Sequence, residues 1–288
     1  MELRIATCRP LPEPDHDEAL LLDALHAAGV SASMESWRDT TAWSEPLPTV
    51  IRSTWDYIHH LEEFRAWVTR TAARGPLWNP ARVIHGNLHK KYLLALAACG
   101  VAVVPTWLLE RGVNTDFAAG LAERGWQDIV IKPAVGLGSH ETHRLEAQSR
   151  GAHALLERLL RGTDLLVQPY LASVDTHGER ALVWIDGEFT HAVRKSPRFA
   201  GGSEQVSAAV PIASDERALG IAALRPFADD DLLYARVDVA PGADGKPLVM
   251  ELELVEPSLF LLQHPPALQR LVAGLLRRLR AVARPIGV

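Results

Sequence analysis

Cysteine is nearly absent from this 288-residue chain, which has only Cys8 and Cys99. The two lie far apart, and neither belongs to a CxxC or zinc-like spacing. A disulfide framework and a structural zinc site are therefore both disfavoured. So low a cysteine content fits a reducing compartment, and we expect the protein in the cytoplasm.

Long apolar runs and blocks of basic residues are also missing. No apolar run approaches the roughly 20 residues that cross a bilayer, and the opening MELRIATCRP predicts a strand instead of a signal segment. The 30 basic and 35 acidic residues give a net charge of -5 without a basic patch. We therefore expect neither a membrane nor a nucleic acid as a partner.

The residues that are present have the balance of an ordinary globular protein, with 48% hydrophobic and 23% charged. The length predicts more than one module. Strand and helix patterns predict an α/β (α+β) fold with an N-terminal α/β module at 1–87, a helix plus a small lobe at 88–167, and a C-terminal lobe at 168–288. The oligomeric state stays open, a homo-oligomer included.

Periodicity and turn residues predict the individual elements. The predicted strands are 3–8, 49–52, 101–104, 128–132, 165–168, 181–185, 188–193, 234–239 and 248–254. The predicted helices are 17–28, 61–71, 90–99, 147–160 and 266–282. The turn at Asp186-Gly187 predicts one β-hairpin, and the Gly- and Pro-rich segment 241–247 predicts a second.

The second hairpin is predicted to gather three carboxylates beside one arginine. In ARVDV, Arg236 and Asp238 share a strand face, as do Glu251 and Glu253 in MELELVEPS. Pairing of the strands brings both sets together, and Mg²⁺ would relieve the repulsion between the acids. A solvated face of an amphipathic strand gives the same alternation, but the Arg-x-Asp partner favours a metal site at Asp238, Glu251 and Glu253.

A glycine-containing loop after a predicted strand has the character of a phosphate-binding loop. In IVIKPAVGLGSH, Lys132 ends the strand, and Gly136, Gly138 and Ser139 follow it. Backbone N–H groups of such a loop bind phosphate oxygens, and the lysine adds a point charge. The pattern lacks GxxxxGK[ST], so a Walker-type NTPase is not indicated. An ordinary turn is the alternative, but the position between strand and helix favours phosphate binding.

The segment LLVQPYL resembles a hinge that contacts an adenine base. The Gln168 amide and the backbone near Tyr170 and Leu171 offer hydrogen-bonding groups for an adenine edge. Asp175 is a candidate acceptor for a ribose hydroxyl. A buried edge strand and a solvated loop carboxylate are the alternatives. Further basic candidates, which are equally typical of solvated surface charges, are Arg180, Arg194 and Lys195.

The order of these elements resembles the ATP-grasp superfamily. The matching positions are Lys90 before a helix, Lys132 before the Gly loop, Gln168 in the hinge, Arg236-x-Asp238 and Glu251-x-Glu253. The resemblance implies an ATP-grasp fold, in which two lobes enclose ATP. It implies that Lys90 and Lys132 bind ATP phosphates, that Arg236 contacts the transferred phosphate, and that the three acids hold one or two Mg²⁺. ATP and Mg²⁺ are the cofactors implied.

Over nearly the whole chain the sequence is also similar to the D-cycloserine ligases. The similar segments are RSTWDY, NLHKKYL, VVPT, GERALVWIDGEFTHAVRK and ELELVEPS. Glu253 stands where asparagine is usual in many ATP-grasp enzymes, and the ELE pattern of this group accommodates it. The resemblance implies a ligase that activates a small amino-acid-like carboxylate as an acyl phosphate, for attack by a nitrogen nucleophile. Its implied reaction is the cyclisation of O-ureido-D-serine to D-cycloserine.

Two other functions stay open on the sequence. An intermolecular carboxylate–amine ligase needs the same residues, and a nucleotide-binding scaffold without catalysis would need fewer of them. Retention of the three acids with Lys90, Lys132 and Arg236 favours an enzyme. Release of ADP separates the catalytic functions from the scaffold.

A polar and aromatic cluster in the N-terminal module is the candidate substrate site. Its members are Arg52, Ser53, Thr54, Trp55, Asp56 and Tyr57. An arginine there would pair with a substrate carboxylate, whereas core positions for Trp55 and Tyr57 are the alternative. The segment 198–202, in SPRFAGG, is a candidate lid, and its glycine pair is equally typical of a plain turn.

Overall fold

The computed structural model describes residues 1–196 and 205–283 and builds them on three four-stranded sheets. The candidate lid at 198–202 lies outside these described residues. Within them, no helix is both long enough and apolar enough to cross a membrane.

The first sheet is parallel, with strand order β2-β1-β3-β4. Parallel neighbours need crossover connections, and helices supply them here. The side chain of Asp15 caps the first helix by accepting from the Asp17 N–H at 2.9 Å. The elements are β1 (Glu2–Thr7), α1 (His16–Ala27), β2 (Ser31–Ser36), β3 (Thr49–Ile51), α2 (Leu61–Arg74), β4 (Leu77–Trp78) and α3 (Ala81–Asn87), with a 3-10 helix at Trp55–His59.

The second sheet is antiparallel, with strand order β5-β8-β6-β7. One helix covers it with a buried face that includes Leu156 and Leu160, and Ser149 caps that helix through a 3.1 Å bond from the Ala152 N–H. The elements of this part are α4 (Tyr92–Ala98), β5 (Trp107–Leu109), α5 (Phe117–Arg124), β6 (Asp128–Pro133), β7 (His143–Glu146), α6 (Arg150–Leu160) and β8 (Leu165–Pro169).

The third sheet is antiparallel, with strand order β10-β9-β11-β12, and contains both predicted hairpins. Its elements are α7 (Ser173–Thr176), β9 (Glu179–Ile185), β10 (Glu188–Lys195), α8 (Ser214–Leu224), β11 (Tyr234–Pro241), β12 (Pro247–Glu253) and α9 (Pro265–Ala283), with a 3-10 helix at Arg225–Phe227. Helix α9 packs on α1 and on this sheet, so the first and third sheets share one apolar core.

Many predicted elements differ from the structure by one to three residues at their ends, and for three of the differences the structure gives a physical reason. The predicted strand at 101–104 is wrong, because Val103 makes only an isolated bridge to Val249; Pro105 follows at once and has no N–H to extend a ladder. The predicted helix at 90–99 begins later, at Tyr92, because the residues before it form tighter turns, in which the Leu93 N–H bonds to the Lys90 carbonyl. The predicted helix at 147–160 begins after its Ser149 cap.

Several short elements carry no clear sequence signal and are absent from the prediction. These are β2, β4, β5, β7, α3, α5, α7 and α8. Strand β4 has two residues, and strand β2 alternates small and polar side chains. Elements of this kind are stabilised by tertiary pairing more than by their own periodicity.

Candidate active site

A cleft between the second and third sheets collects almost all the residues predicted to bind cofactor or metal. Every one of them except Asp175 lines this cleft. The lining members of that predicted set are Lys90, Lys132, Gly136, Gly138, Ser139, Gln168, Tyr170, Leu171, Arg236, Asp238, Glu251 and Glu253.

The third sheet supplies an acidic wall through the register of its β11/β12 hairpin. Arg236 lies opposite Glu253, and Asp238 lies opposite Glu251. The Arg236 Nε donates to Asp238 Oδ1 at 2.8 Å, and its Nη2 contacts both Asp238 and Glu253. Burial alone would raise the pKa of Asp238, but Arg236 and Lys195 hold it below its usual value. The ionised carboxylate is therefore the resting form of Asp238.

A buried asparagine fixes the outer edge of this hairpin. The Asn87 Nδ2 donates to the Leu252 carbonyl at 2.9 Å, and Asn87 Oδ1 accepts from the Leu254 N–H at 2.8 Å. These bonds satisfy two backbone polar groups on the edge of β12, one between Glu251 and Glu253 and one just after Glu253. Since successive strand side chains alternate, fixing Leu252 against the core directs Glu251 and Glu253 to the opposite face.

Two lysines form a basic wall opposite these acids. The Lys132 Nζ lies 2.7 Å from Glu251 Oε1, and the Lys90 Nζ lies 3.5 Å from the same atom. The Lys90 Nζ also donates to the Gly136 carbonyl at 2.7 Å. Burial alone would raise the pKa of Glu251, but Lys132 and Lys90 lower it to about 2. Burial lowers the pKa of Lys90, although Glu251 opposes that shift.

The glycine loop lines the cleft together with these lysines and the hinge residues. Gly138 and Ser139 both adopt the left-handed backbone conformation, with φ values of 58° and 61°. Glycine takes this conformation without steric cost. The loop therefore turns sharply at the position where the sequence predicts phosphate binding.

Glu179 is a cleft residue that the sequence prediction missed. It begins β9 and pairs in register with Lys195, whose Nζ contacts Glu179 and lies 2.7 Å from Asp238 Oδ2. Burial raises the pKa of Glu179, and Asp238 adds to that rise. The hairpin turn at Asp186-Gly187 gave only a partial signal, because counting back from it sets Glu179 opposite Arg194, and a bulge between Phe189 and His191 moves the pairing to Lys195.

The other two basic candidates point elsewhere. Arg180 pairs with Glu216 and donates to the Pro211 carbonyl, while Arg194 donates to the Thr176 carbonyl. Alternation along the strand explains this outcome, since Arg180 and Arg194 sit next to the cleft residues Glu179 and Lys195.

In the hinge, the residues predicted to contact adenine line the cleft, but the residue predicted to contact the ribose does not. Gln168, Tyr170 and Leu171 line the cleft, and the Gln168 Nε2 donates to Thr106 Oγ1 at 2.8 Å. Asp175 is not among the cleft-lining residues described, and its carboxylate accepts from the Tyr170 hydroxyl. The Arg144 guanidinium stacks 3.6 Å from the Tyr170 ring centre and lies 3.7 Å from Asp175. The ribose contact of Asp175 stays a prediction.

Part of the predicted substrate cluster contacts the segment that follows β12, and part bonds within the N-terminal module. Arg52 donates to the Pro257 carbonyl at 2.7 Å, and the Trp55 indole donates to the Glu256 carbonyl at 3.3 Å. The other contacts of the cluster are Ser53 with Glu18 and Thr7, and Asp56 with the Trp37 indole. Arg52 Nη1 and Thr54 Oγ1 are buried without a hydrogen-bond partner in the described chain. Tyr57 alone of the six lines a cavity next to the cleft.

The acidic wall has the donor set that a hard divalent cation requires. Among residues 1–196 and 205–283, no three His, Cys, Asp or Glu side chains are already spaced as a metal site, since Asp238, Glu251 and Glu253 are each ion-paired. Their oxygens nevertheless line one cleft, and burial with the Asp238 charge raises the pKa of Glu253. These residues fit Mg²⁺, which takes carboxylate oxygens together with phosphate and water.

The fold and the cleft define an ATP-grasp protein, and solved structures support this class. The ATP-grasp ligase PsnB in complex with a minimal precursor aligns over 96% of this chain and 98% of its own, with a TM-score of 0.66 and 18% identity. D-alanine–D-alanine ligase from Bacillus anthracis aligns over 99% of this chain and 100% of its own, with a TM-score of 0.67 and 13% identity. At these identities the likeness shows the fold alone.

A nearer set of relatives gives the family. Residues 3–79 match the family described as D-cycloserine synthetase DcsG, N-terminal domain. The cycloserine biosynthesis protein DcsG of Streptomyces lavendulae is 34% identical over 285 residues, which cover 92% of this chain and 95% of that protein. The crystal structure of D-cycloserine synthetase DcsG aligns over 97% of this chain and 100% of its own, with a TM-score of 0.88. The chain belongs to the DcsG family of ATP-grasp enzymes and is a ligase that uses ATP.

Proposed function

We propose that this ligase uses Mg-ATP to phosphorylate the carboxylate of O-ureido-D-serine and closes the D-cycloserine ring with the substrate's own nitrogen. The observation that carries the proposal is the meeting of Asp238, Glu251 and Glu253 with Lys90, Lys132 and Arg236 in one cleft. The similarity to a cycloserine biosynthesis protein supports this choice of substrate.

The reaction is a sequence of two substitutions followed by a hydrolysis. A substrate carboxylate oxygen takes the γ-phosphoryl group, which releases ADP and gives an acyl phosphate. The oxygen-bound nitrogen of the ureido group then attacks the acyl carbon, and inorganic phosphate leaves as the ring forms. Hydrolysis of the remaining carbamoyl group releases carbon dioxide and ammonia. Activation is needed because a free carboxylate is a poor electrophile.

The chain's own residues contribute position and charge to these steps. Lys90 and Lys132 neutralise phosphate oxygens, and Arg236 lies beside the acids, where it reaches the phosphoryl group in transfer. Bound Mg²⁺, held by Asp238, Glu251 and Glu253, would supply further neutralisation of the phosphate charge. Phosphoryl transfer depends mainly on such positioning and electrostatic stabilisation, so no protein nucleophile is required.

The proposal also includes a cytoplasmic location and a small charged substrate. Both cysteines are free thiols, and Cys99 is exposed, which suits the reducing cytoplasm. The cleft is lined by groups that recognise phosphate and carboxylate, and these suit a small charged substrate.

The testing experiment measures ADP release by the purified protein with Mg-ATP. O-ureido-D-serine is supplied alone, followed by a panel of amino acids with and without added amines. We expect ADP and a cyclic product from O-ureido-D-serine alone. ADP that appears only when a carboxylate and a separate amine are both present would replace this function with an intermolecular ligase. Nucleotide binding without ADP from any of these mixtures would overturn catalysis altogether.

A further inference from the structure

A second, smaller cavity adjoins the cleft where the N-terminal module meets β12. Its own lining includes Tyr57, Tyr92 and Glu256, and it shares Lys90 and Glu251 with the cleft. The two spaces therefore meet at the lysine and the glutamate that flank the position of phosphoryl transfer. A small molecule with its carboxylate at Lys90 would have its neighbouring atoms in this second space.

Glu256 is a buried carboxylate without a close ion pair among the described residues. Its residue is 8% exposed, and the cations Arg236 and Lys90 attract it only from beyond ion-pair distance. Its side chain is hydrogen-bonded to Tyr57, and burial with the nearby Glu253 charge raises its pKa to about 8. Arg52, the nearest arginine in sequence to Tyr57, is turned to the Pro257 carbonyl. A buried carboxylate in such surroundings is costly unless a cation pairs with it.

The substrate of the proposed reaction carries a cation at a suitable place. In an α-amino acid the ammonium group is attached to the carbon next to the carboxylate. When the carboxylate lies at Lys90 for phosphorylation, the ammonium group is within reach of the adjoining cavity. A bound ammonium group favours the ionised form of Glu256, whose oxygens then accept from the three N–H donors of the ammonium.

We propose that Glu256, positioned by Tyr57, receives the α-ammonium group of the amino-acid substrate and restricts the enzyme to α-amino carboxylates. This inference rests on the proposed function and adds the group that recognises the substrate's amine. Tyr57 acts through Glu256, because its hydroxyl donates to that carboxylate. A buried polar site rejects an analogue that leaves it unpaired, so the pair provides selectivity as well as affinity.

The test is the isosteric substitution Glu256→Gln. The amide oxygen keeps the hydrogen bond from Tyr57, so the fold is retained while the negative charge is lost. With O-ureido-D-serine we expect kcat/KM to fall about tenfold to hundredfold, mainly through KM. The KM for ATP stays within about twofold. Tyr57→Phe, which removes only the positioning hydroxyl, has a smaller effect in the same direction.

The discriminating substrate is 3-(ureidooxy)propanoate, which lacks only the amino group. We expect the wild type to use it poorly and Glu256→Gln to use it no worse than the wild type. Glu62→Gln is the matched control, because it removes one carboxylate charge from a side chain that is 87% exposed. Equal losses on both substrates, or no loss with O-ureido-D-serine, would overturn the inference and leave the proposed ligase function intact.

Binding measurements test the inference without turnover. Titration calorimetry with a non-hydrolysable ATP analogue present compares O-ureido-D-serine with the des-amino analogue on wild type and on Glu256→Gln. We expect the wild type to prefer the amine and the variant to lose that preference. A wild type without preference refutes the role of Glu256, even if no ADP is ever formed.

Discussion

The two walls of the cleft carry opposite charges and are built in different ways. The acidic wall is one hairpin, in which the β11/β12 register sets Arg236 opposite Glu253 and Asp238 opposite Glu251. The basic wall is assembled from separate segments, with Lys132 at the end of β6 and Lys90 in the turn before α4. The 2.7 Å contact between Lys132 and Glu251 joins the walls across the cleft.

This difference shows how the charged side chains of an empty ATP-binding cleft neutralise one another. Glu251 is shared by two lysines, while Asp238 is neutralised from within its own sheet by Arg236 and Lys195. We expect bound phosphate oxygens to compete for the lysines, which would free Glu251 to bind a metal ion. On this hypothesis the β11/β12 hairpin stays fixed, and the contact between Lys132 and Glu251 is the one that breaks when substrate binds.

The largest predicted effect comes from removing the centre of the acidic wall. Asp238→Asn leaves Arg236 and Lys195 without their shared carboxylate, and we expect ADP formation to fall about 10³-fold. Asp244→Asn, in the exposed turn of the same hairpin, is the control and keeps wild-type activity. Circular dichroism at the assay temperature verifies that both variants are folded. Activity of Asp238→Asn within tenfold of wild type would contradict an essential role for the Asp238 carboxylate in the acidic wall.

Removing the cross-wall cation is predicted to have the next largest effect. Lys132→Met deletes one of the two charges that hold Glu251 and that would meet ATP phosphates. We expect the Kd for ATP to rise about tenfold to hundredfold, as measured by calorimetry. Lys91→Met is the control, since Lys91 is exposed beside Lys90 in sequence. An unchanged Kd would mean that Lys132 serves only to neutralise Glu251.

The acidic wall was also the part of the site that could be predicted from residue pattern alone. The two-residue period of a strand and a hairpin turn suffice to bring Asp238, Glu251 and Glu253 together. Lys90 could be placed only through the family resemblance, because its Nζ enters the cleft by way of a tertiary contact with the Gly136 carbonyl. Nothing local in the sequence encodes that contact.

Sequence reasoning was weakest where burial depends on distant segments. Glu179 was missed because its place depends on the register of a hairpin that contains a bulge between Phe189 and His191. Arg52 and Trp55 bond to the backbone carbonyls of residues 257 and 256, contacts that the sequence did not indicate, while the substrate role of residues 52–57 stays a prediction. Such long-range partners follow from the packing of the N-terminal module and carry no local signal.

A magnesium titration tests whether Glu253, in the acidic wall, binds the metal ion. Glu253→Gln keeps an oxygen ligand and removes a charge, so we expect the half-saturating Mg²⁺ concentration to rise about tenfold with little change in kcat. Measurements are made at saturating ATP, with Glu188→Gln on β10 as the control. If kcat falls while the Mg²⁺ requirement is unchanged, Glu253 acts through its Arg236 contact and not as a ligand.

The smallest predicted effect lies at the hinge, outside both walls. The Asp175 carboxylate is half exposed and already accepts from the Tyr170 hydroxyl beside Arg144. In Asp175→Asn the amide oxygen still accepts that bond, so we expect the KM for ATP to change less than about threefold. Comparing ATP with 2′,3′-dideoxy-ATP on the same variant isolates any ribose contact. A tenfold rise in KM for ATP alone would show that Asp175 leaves Tyr170 to bind the ribose when nucleotide is present. In that case a contact in the hinge, like the contact between Lys132 and Glu251, would break when substrate binds.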